Sequence, residues 1–405
     1  MSAAVNIIAA EKLPDEVPLE VSIPFMLGSI NVAASYGSSF FLVDALRSAP
    51  QSASMAGTVI STGTVATILC SLVAGRVADL FGVMRTITLA AAVMAIAMIC
   101  FAAAPAFMFL AYLGGLSLGI GWSIFYMLAP LQILERVRPA ARVKYLTLLS
   151  GSQMLGIGLA VPLARTVVEI FGSYIAVYSL FAAACFVGAM LLELAGRALA
   201  RAPQIKMATV RLTFEGVREA FKSNTRYPIV MIGIGACVFS GLSTFQTLYA
   251  SSRGQSADTF FIVFTLTAVF LRFAAAPVIG KVRLEWVAAF LVVCTMAGLF
   301  LLLINARSAE IYILGTAMFA LGYGLSYSTL NGMVVFIAGT DGTSLAVASQ
   351  VFTLSYFVGL FGFPYIAGQI VSVHSFDDLL ISMMMLVGSN GIVLAIQAFS
   401  TSRER

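Results

Sequence analysis

Charged side chains and histidine are scarce in this sequence. Of its 405 residues, 10% are Asp, Glu, Lys or Arg and one is histidine, whereas 60% are hydrophobic. A soluble domain usually carries about 25% charged residues, and exposed apolar surface on this scale would drive association. The composition therefore excludes an ordinary soluble domain. With one histidine and no clustered acids, the sequence also argues against a membrane enzyme, and it predicts neither a cofactor nor a metal.

The sequence also shows no paired-cysteine spacing, no nucleotide-binding loop motif and no signal-peptide pattern. The five cysteines lie singly inside apolar runs without CxxC spacing, which predicts small core residues rather than disulfides or metal ligands. No GxxxxGK[ST] run is present to power transport with a nucleotide. The first 20 residues lack the basic and then apolar order of a cleaved signal, so we expect none.

Long apolar runs are what the sequence does have. Runs longer than about 17 residues fit membrane helices, because barrel strands need about ten residues of strict alternation. Counted with a window of about 20 residues, the runs predict an all-α membrane protein of twelve spans. These spans lie near 22–44, 54–75, 85–104, 106–130, 146–168, 174–196, 228–250, 258–280, 284–304, 311–338, 345–370 and 378–399.

The basic residues predict the orientation of these spans. With a cytoplasmic N-terminus, all but five of the 23 Lys and Arg residues lie on the inner side or in inner loops. The positive-inside rule therefore places both termini in the cytoplasm. The five exceptions are Arg47, Arg165, Arg253, Arg307 and, within a span, Arg272.

One long polar connection divides the chain into two sets of six spans. We expect tails at 1–20 and 400–405, helical bundles at 21–196 and 228–399, and a basic cytoplasmic linker at 197–227. Residues 214–222 of the linker form an amphipathic stretch that suits a membrane surface. The run Leu118–Ser123 in span 4 recurs as Leu321–Ser326 in span 10, which indicates pseudo-symmetric halves around a central site.

The connection between spans 2 and 3 carries the most specific motif. It reads Gly75-Arg76-Val77-Ala78-Asp79-Leu80-Phe81-Gly82-Val83-Met84-Arg85. This closely resembles the GxLADrxGrr signature, motif A, of the major facilitator superfamily. The resemblance implies a fold of two six-helix bundles that work by alternating access. It assigns a cytoplasmic gate to Gly75, Arg76, Asp79, Gly82 and Arg85.

The sequence departs from the family's drug exporters in three places. The equivalent turn of the second half, Gly280–Glu285, lacks the aspartate, and span 4 lacks the intramembrane arginine that many exporters carry. The glycines and Pro162 of span 5 only loosely resemble the antiporter motif. The coupling ion and the direction of transport are therefore left open by the motifs.

Two charged residues stand out as candidates for coupling. Arg272 lies inside span 8 between apolar residues, where a guanidinium needs water, an anion or a carboxylate. We weigh a role in solute binding or coupling against a structural ion pair. Asp44 near the outer end of span 1 either titrates during transport or begins a solvated loop. His374 is interpreted as solvated, and Glu193 as paired with Arg197 one turn later.

Uncharged polar and aromatic residues recur in the spans near the cavity. The resemblance implies that spans 1, 4, 7 and 10 line this cavity, with spans 2, 5, 8 and 11 beside them. Polar groups in hydrocarbon are costly, so we expect them to face a solute or one another. Interhelical packing is the alternative reading of the tyrosines. The predicted substrate-binding set, completed by Arg272, is Asn31, Ser35, Tyr36, Trp122, Tyr126, Gln153, Gln246, Tyr249, Tyr323, Tyr327, Asn331, Gln350 and Tyr356.

These features predict a secondary active transporter in a bacterial inner membrane. We expect a monomer that exports a small amphiphilic or anionic organic solute, with the proton as coupling ion and lipid as its other partner. Uptake of a nutrient, organic anion or siderophore by the same fold is the alternative. Two further classes are a membrane enzyme and a scaffold protein that keeps the fold without transport. No feature predicts binding of nucleic acid.

Overall fold

Twelve long helices follow one another in the order that the apolar runs predict. The computed structural model describes residues 14, 16–47, 52–137, 139–199, 212–279 and 282–403. The long helices are α1 (Leu19–Gly37), α2 (Ser52–Phe81), α3 (Val83–Ala103), α4 (Phe109–Leu134), α5 (Pro139–Phe171), α6 (Tyr174–Leu199), α7 (Arg226–Thr244), α8 (Ala257–Ile279), α9 (Leu284–Ile304), α10 (Ala309–Asp341), α11 (Leu345–Val373) and α12 (Phe376–Arg403).

Eleven of these helices, all but α8, meet the length and hydropathy required for a membrane span within the described residues. Helix α8, with 23 residues, is long enough to cross and lies where the eighth span is predicted. Several helices run beyond the predicted spans. α12, for example, continues to Arg403 through part of the expected C-terminal tail. The reason is that helical hydrogen bonding continues past the apolar window into the polar region.

Local sequence explains where helices begin and end. Pro139 opens α5, where a missing N–H costs nothing. Gly82 turns the chain between α2 and α3 at φ +86°, a conformation that L side chains rarely adopt. Gly342 ends α10 in the left-handed conformation. The chain therefore reverses sharply where glycine allows it.

The helices form two bundles with the same internal packing. In the first half, α1 packs on α5 and α6, α3 on α4 and α6, and α2 on α4. In the second half, α7 packs on α11 and α12, α9 on α10 and α12, and α8 on α10. Raising each helix number of the first set by six reproduces the second set. The halves meet where α2 contacts α11 and where α5 contacts α8.

The first helix of each half is broken near the same end. After Gly37, α1 continues as a 3₁₀ turn, Ser38–Phe41, and a helical turn, Leu42–Ala45. Helix α7 stops at Thr244 and resumes as Gln246–Ser252. We call this end of the bundle, which carries Arg47 and Arg253, the distal end. The opposite end, with the Gly82 turn, is the motif end.

The described part of the linker before α7 contains a short helix, Phe214–Lys222. This confirms the predicted amphipathic stretch, and we call it the surface helix. The Thr213 side chain caps it by accepting from the N–H of Gly216. Gly216 and Ala220 are buried against α11, whereas Phe214 is 87% exposed. Residues 200–211 of the linker lie outside the described residues.

Candidate functional site

Helices α2 and α11 pack closely against each other in their distal halves. A Cβ on Gly57 would lie 2.1 Å from the carbonyl oxygen of Pro364, so the two backbones are in direct contact. The Gln369 amide donates to the Ser54 hydroxyl at 2.6 Å. Nearby, the N–H of Tyr365 donates to a serine hydroxyl of α2 at 2.9 Å. Small residues and hydroxyls thus let the halves approach closely here.

Helices α5 and α8 form the second seam at the distal end. A Cβ on Gly158 would lie 1.4 Å from the hydroxyl oxygen of Thr265. Closer to the distal surface, the Arg165 Nε lies 3.4 Å from the Asp258 Oδ1, an ion pair between the halves. The hydrogen bonds between α2 and α11 and the ion pair between α5 and α8 lie towards this end. The distal end is therefore closed.

A group of charges surrounds this closure, which we call the distal charge cluster (Asp44, Arg47, Arg165 and Asp258). Asp44 is 5% exposed and accepts a hydrogen bond from the exposed Arg47 at 2.8 Å. The charge of Arg165 also acts on Asp44, so the arginine lies between two carboxylates from opposite halves. Of the two readings of Asp44, the solvated start of a loop is wrong, since the carboxylate is buried and paired.

Aromatic rings fill the centre of the molecule. Tyr36 of α1 stacks on Trp122 at 4.5 Å, and Phe239 of α7 stacks on Tyr323 at 4.4 Å. Rings of the two halves meet across the midline, as where Phe40 packs edge-on against Phe239 at 5.9 Å. The cluster continues through α8, α10 and α11. Its remaining members are Phe125, Tyr126, Phe260, Phe261, Phe264, Phe319, Tyr327, Phe352, Tyr356, Phe357 and Phe361.

Arg272 lies at the edge of this aromatic cluster. Its charge acts on the hydroxyls of Tyr126, Tyr323 and Tyr356, which come from both halves. Its hydrogen bond within the part of the chain that the structure describes goes to the carbonyl of Ala268 in its own helix, at 3.3 Å. Within the described residues Arg272 forms no ion pair. The structural ion pair is thus not observed, and an uncompensated positive charge faces the centre.

Space opens beside Arg272 on the side of the motif end. The contacts of Gly158 with Thr265 and of Arg165 with Asp258 define an antiparallel register between α5 and α8. Continued towards the motif end, this register brings Gly151 level with Arg272. No atom lies within 4 Å of the position that a Cβ on Gly151 would take. Arg272, Tyr126 and Tyr327 are half-buried here, whereas Trp122 is 1% exposed. The centre is therefore approached from the motif end.

Seven of the predicted site residues come together around this centre. They are Tyr36, Trp122, Tyr126, Arg272, Tyr323, Tyr327 and Tyr356. Tyr323 and Tyr327 lie one turn apart on α10, and the Tyr323 hydroxyl lies 3.5 Å from the Tyr356 hydroxyl. Asn331 and Gln350 are half-buried further towards the motif end, and Gln153 is buried in α5. The roles of these three stay predictions.

Four other predicted site residues are not brought to the centre. Asn31 donates to the carbonyl of Leu27 in its own helix, and Ser35 donates to the carbonyl of Phe181 in α6. The Gln246 amide donates to the Tyr312 hydroxyl at 2.7 Å, and the Tyr249 hydroxyl donates to the Leu302 carbonyl at 2.7 Å. Their polar groups are thus used within one half. Helical spacing located them in the right helices but not on the right faces.

Sequence reasoning missed the phenylalanines and the ion pair between halves. Phe319 lies four residues before Tyr323, so the aromatic face of α10 extends one helical turn beyond the two predicted tyrosines, Tyr323 and Tyr327. The Arg165–Asp258 pair could have been suspected because both charges lie at the outer ends of predicted spans. By contrast, the predicted pair of Glu193 with Arg197 is confirmed at 3.0 Å. His374 is exposed, as expected.

The motif A residues lie at the Gly82 turn and on both sides of it, in α2 and in the first turn of α3. Gly75 is half-buried in α2, while Arg76, Asp79 and Arg85 are exposed at the motif end. The N–H of Gly82 donates to the Ala78 carbonyl at 2.9 Å, which closes α2 before the chain reverses. Their assignment to a gate stays a prediction.

Two pseudo-symmetric six-helix bundles around a central polar and aromatic site define a membrane transporter of the alternating-access type. The pattern of the Major Facilitator Superfamily matches residues 24–396. The chain belongs to this superfamily. Its members are in general transporters and not enzymes, and they bind small molecules and sit in lipid bilayers. It is a multi-pass membrane protein.

Solved structures share the fold at low sequence identity. The human organic anion transporter MFSD10 is 16% identical with a TM-score of 0.67, over 94% of this chain and 100% of its own. The nucleoside transporter NupG is 12% identical with a TM-score of 0.71, over 93% and 99%. PepTSo, a POT family transporter, is 12% identical with a TM-score of 0.73, over 96% and 98%. Among curated proteins, none matches this chain significantly.

Proposed function

We propose that this protein is a secondary active transporter that exports small amphiphilic organic anions, coupled to proton movement. The observation that carries the proposal is Arg272, a cation without an ion-pair partner among the described residues. It lies between the two halves, against tyrosine hydroxyls. An unneutralised guanidinium inside a bundle is costly, so a ligand that brings a negative charge gains by neutralising it. The surrounding rings offer the apolar surface that an amphiphile requires.

The distal charge cluster supports a coupling role for protons. Arg165 pairs with Asp258 across the seam and also acts on Asp44 of its own half. Protonation of Asp258 therefore weakens the attraction that holds the halves together there, while protonation of Asp44 changes the electrostatic environment of the same arginine. Solute binding at Arg272 and protonation at the distal end would then favour opposite openings of the molecule. In this scheme Asp44 and Arg272 couple the two processes.

The proposed orientation places the motif end in the cytoplasm of a bacterial inner membrane. The centre is then open to the cytoplasm and closed to the outside, which is a state that can load a solute for export. Uptake by the same fold is the alternative, and the two differ in the direction of proton flux. Export by antiport moves protons against the solute, whereas uptake by symport moves them with it.

Proton flux in proteoliposomes tests the proposal. A solute gradient of organic anions, with amphiphilic cations as comparison, is imposed while the internal pH is recorded. Wild type is compared with Arg272→Gln and with Arg307→Gln, which removes an exposed charge at the distal end. We expect a pH change with anions that Arg272→Gln abolishes and Arg307→Gln leaves intact. Anion transport unchanged in Arg272→Gln would overturn the proposal, and the sign of the pH change separates export from uptake.

A further inference from the structure

Tyr126 of the first half contacts three aromatic rings of the second. Its ring stacks on Tyr356 at 5.6 Å with an interplanar angle of 20°. Tyr327 and Phe357 contact it edge-on at 5.8 and 5.5 Å, with angles of 84° and 77°. Three aromatic rings of α10 and α11 thus contact the six-membered ring of Tyr126. We call these three rings the aromatic slot (Tyr327, Tyr356 and Phe357).

The fixed charge of Arg272 acts on the oxygen of this ring, as it does on the hydroxyls of Tyr323 and Tyr356. The slot therefore holds a planar ring that carries one oxygen on its positively charged side. A neutral phenol satisfies the shape of this arrangement but leaves the guanidinium without a counter-charge.

We infer that Tyr126 occupies the place of the transported solute, and that the solute is a planar aromatic ring bearing a carboxylate or phenolate. This inference rests on the proposed function and names its substrate class. An aromatic anion can make the same ring contacts and also neutralise Arg272, so it exchanges favourably with the tyrosine side chain. A saturated ring of the same size lacks the flat face that stacks on Tyr356.

The exchange also explains how binding would act on the two halves. Tyr126 belongs to α4 and the slot to α10 and α11, so the inserted ring bridges the halves at the centre. A solute that enters the slot pushes Tyr126 out and removes this bridge. Occupancy of the site thus loosens the centre while the distal seam stays closed. When the site is empty, Tyr126 bridges the two halves as a positioning residue. When solute is present, Tyr126 competes with it for the aromatic slot.

Calorimetric titration of the purified full-length protein with benzoate and cyclohexanecarboxylate tests this inference. The two probes share charge and ring size but differ in aromaticity. We expect benzoate to bind about tenfold more tightly than cyclohexanecarboxylate to wild type, through its stacking contacts. Tyr126→Ala removes the competitor, so benzoate should bind this variant at least tenfold more tightly than wild type. In the same variant p-cresol, the side chain that was deleted, should raise the melting temperature.

Further variants separate the possible failures. Tyr126→Phe keeps the competing ring, so its gain in benzoate affinity should be well below that of Tyr126→Ala. Tyr126→Leu removes the ring with a smaller loss of volume and should resemble Tyr126→Ala even if that variant folds poorly. Phe125→Ala, a buried neighbour of Trp122, opens space outside the slot and should not strengthen benzoate binding. Benzoate binding that is unchanged or weaker in both Tyr126→Ala and Tyr126→Leu overturns the inference. Equal affinity for the two probes overturns the aromatic class but leaves anion transport standing. Wild-type affinity in Arg272→Gln overturns the proposed function itself.

Discussion

Gly158 and Thr265 lie so close across the α5–α8 seam that a methyl group on the glycine would overlap the threonine hydroxyl, with 1.4 Å between the two atoms. Seven residues away on the same helix, Gly151 faces open space. These two glycines therefore lie on either side of the middle of one interface, where the helices are in direct contact at Gly158 and leave space at Gly151.

Substitutions at Gly158 and Gly151 test whether the distal end is closed. Gly158→Ala should destabilise the closed distal end by about 1–3 kcal/mol, because overpacking forces the helices apart. Gly151→Ala is the matched control and should be neutral or stabilising, since alanine favours helix by about 1 kcal/mol over glycine. Melting of both variants in lipid nanodiscs measures the difference. Equal destabilisation by the two substitutions would contradict the closed distal end.

The ion pair between Arg165 and Asp258 predicts rescue by charge exchange. Each side chain is about 30% exposed, so the pair contributes less than about 1 kcal/mol to stability, but it acts directly on the seam. Arg165→Asp and Asp258→Arg should each increase labelling of a cysteine placed at Gln369, and the double exchange should restore protection. Labelling of the double variant at the level of the single variants would show that these charges do not hold the distal end closed.

The two tryptophans predict how the chain meets lipid. Trp286 is 68% exposed in α9, whereas Trp122 is 1% exposed in the aromatic cluster. Brominated lipids should quench most of the emission of Trp122→Phe, which retains Trp286. They should leave that of Trp286→Phe nearly unchanged. Strong quenching of Trp122 would contradict its burial between helices.

The surface helix predicts a contact with the bilayer. At 100° per residue, Phe214 and Phe221 share one direction, Arg218 and Lys222 flank it on one side, and the packed glycine and alanine lie on the other. Such an order suits an interface with anionic headgroups. In a protein without Trp122 and Trp286, Phe214→Trp should be quenched by lipids brominated near the headgroup. A tryptophan in place of Glu219 is the control that should remain unquenched.

The Tyr249 hydroxyl is expected to contribute to stability but not to solute binding. Its hydroxyl donates to the Leu302 carbonyl, one of the last carbonyls of α9, which has no helical partner of its own. Tyr249→Phe should cost about 1 kcal/mol of stability and leave solute affinity unchanged. A loss of affinity with unchanged melting would return Tyr249 to the solute site that its sequence position indicated.

Much of the fold was predictable because hydrocarbon imposes a single rule on the chain. Each run of about 20 apolar residues must become a helix, so twelve runs and the Gly82 turn sufficed to place the spans. The breaks in α1 and α7 left no comparable signal, since Ser38–Phe41 and Thr244–Gln246 contain neither proline nor a charge.

The site was only partly predictable because sequence spacing selects a face of a helix but not the neighbour of that face. Tyr323 and Tyr327 point to the centre, whereas Asn31 and Ser35, also four residues apart, bond within the first half. The phenylalanines that complete the aromatic cluster are also indistinguishable by type from those that face lipid, such as Phe270 at 70% exposure. Contacts between helices decide such cases.

The breaks in α1 and α7 give the distal end a finer mechanism than the rocking of two rigid bodies. Each break separates a short terminal piece, Leu42–Ala45 or Gln246–Ser252, from a long helix that stays packed. Asp44 rides on one of these pieces and Arg253 directly follows the other. A stretch of 3₁₀ geometry within a helix often marks a hinge, as at Ser38–Phe41, and the α7 break is the single residue Phe245. We therefore expect a change of charge on either terminal piece to loosen the distal end before the bundles themselves turn.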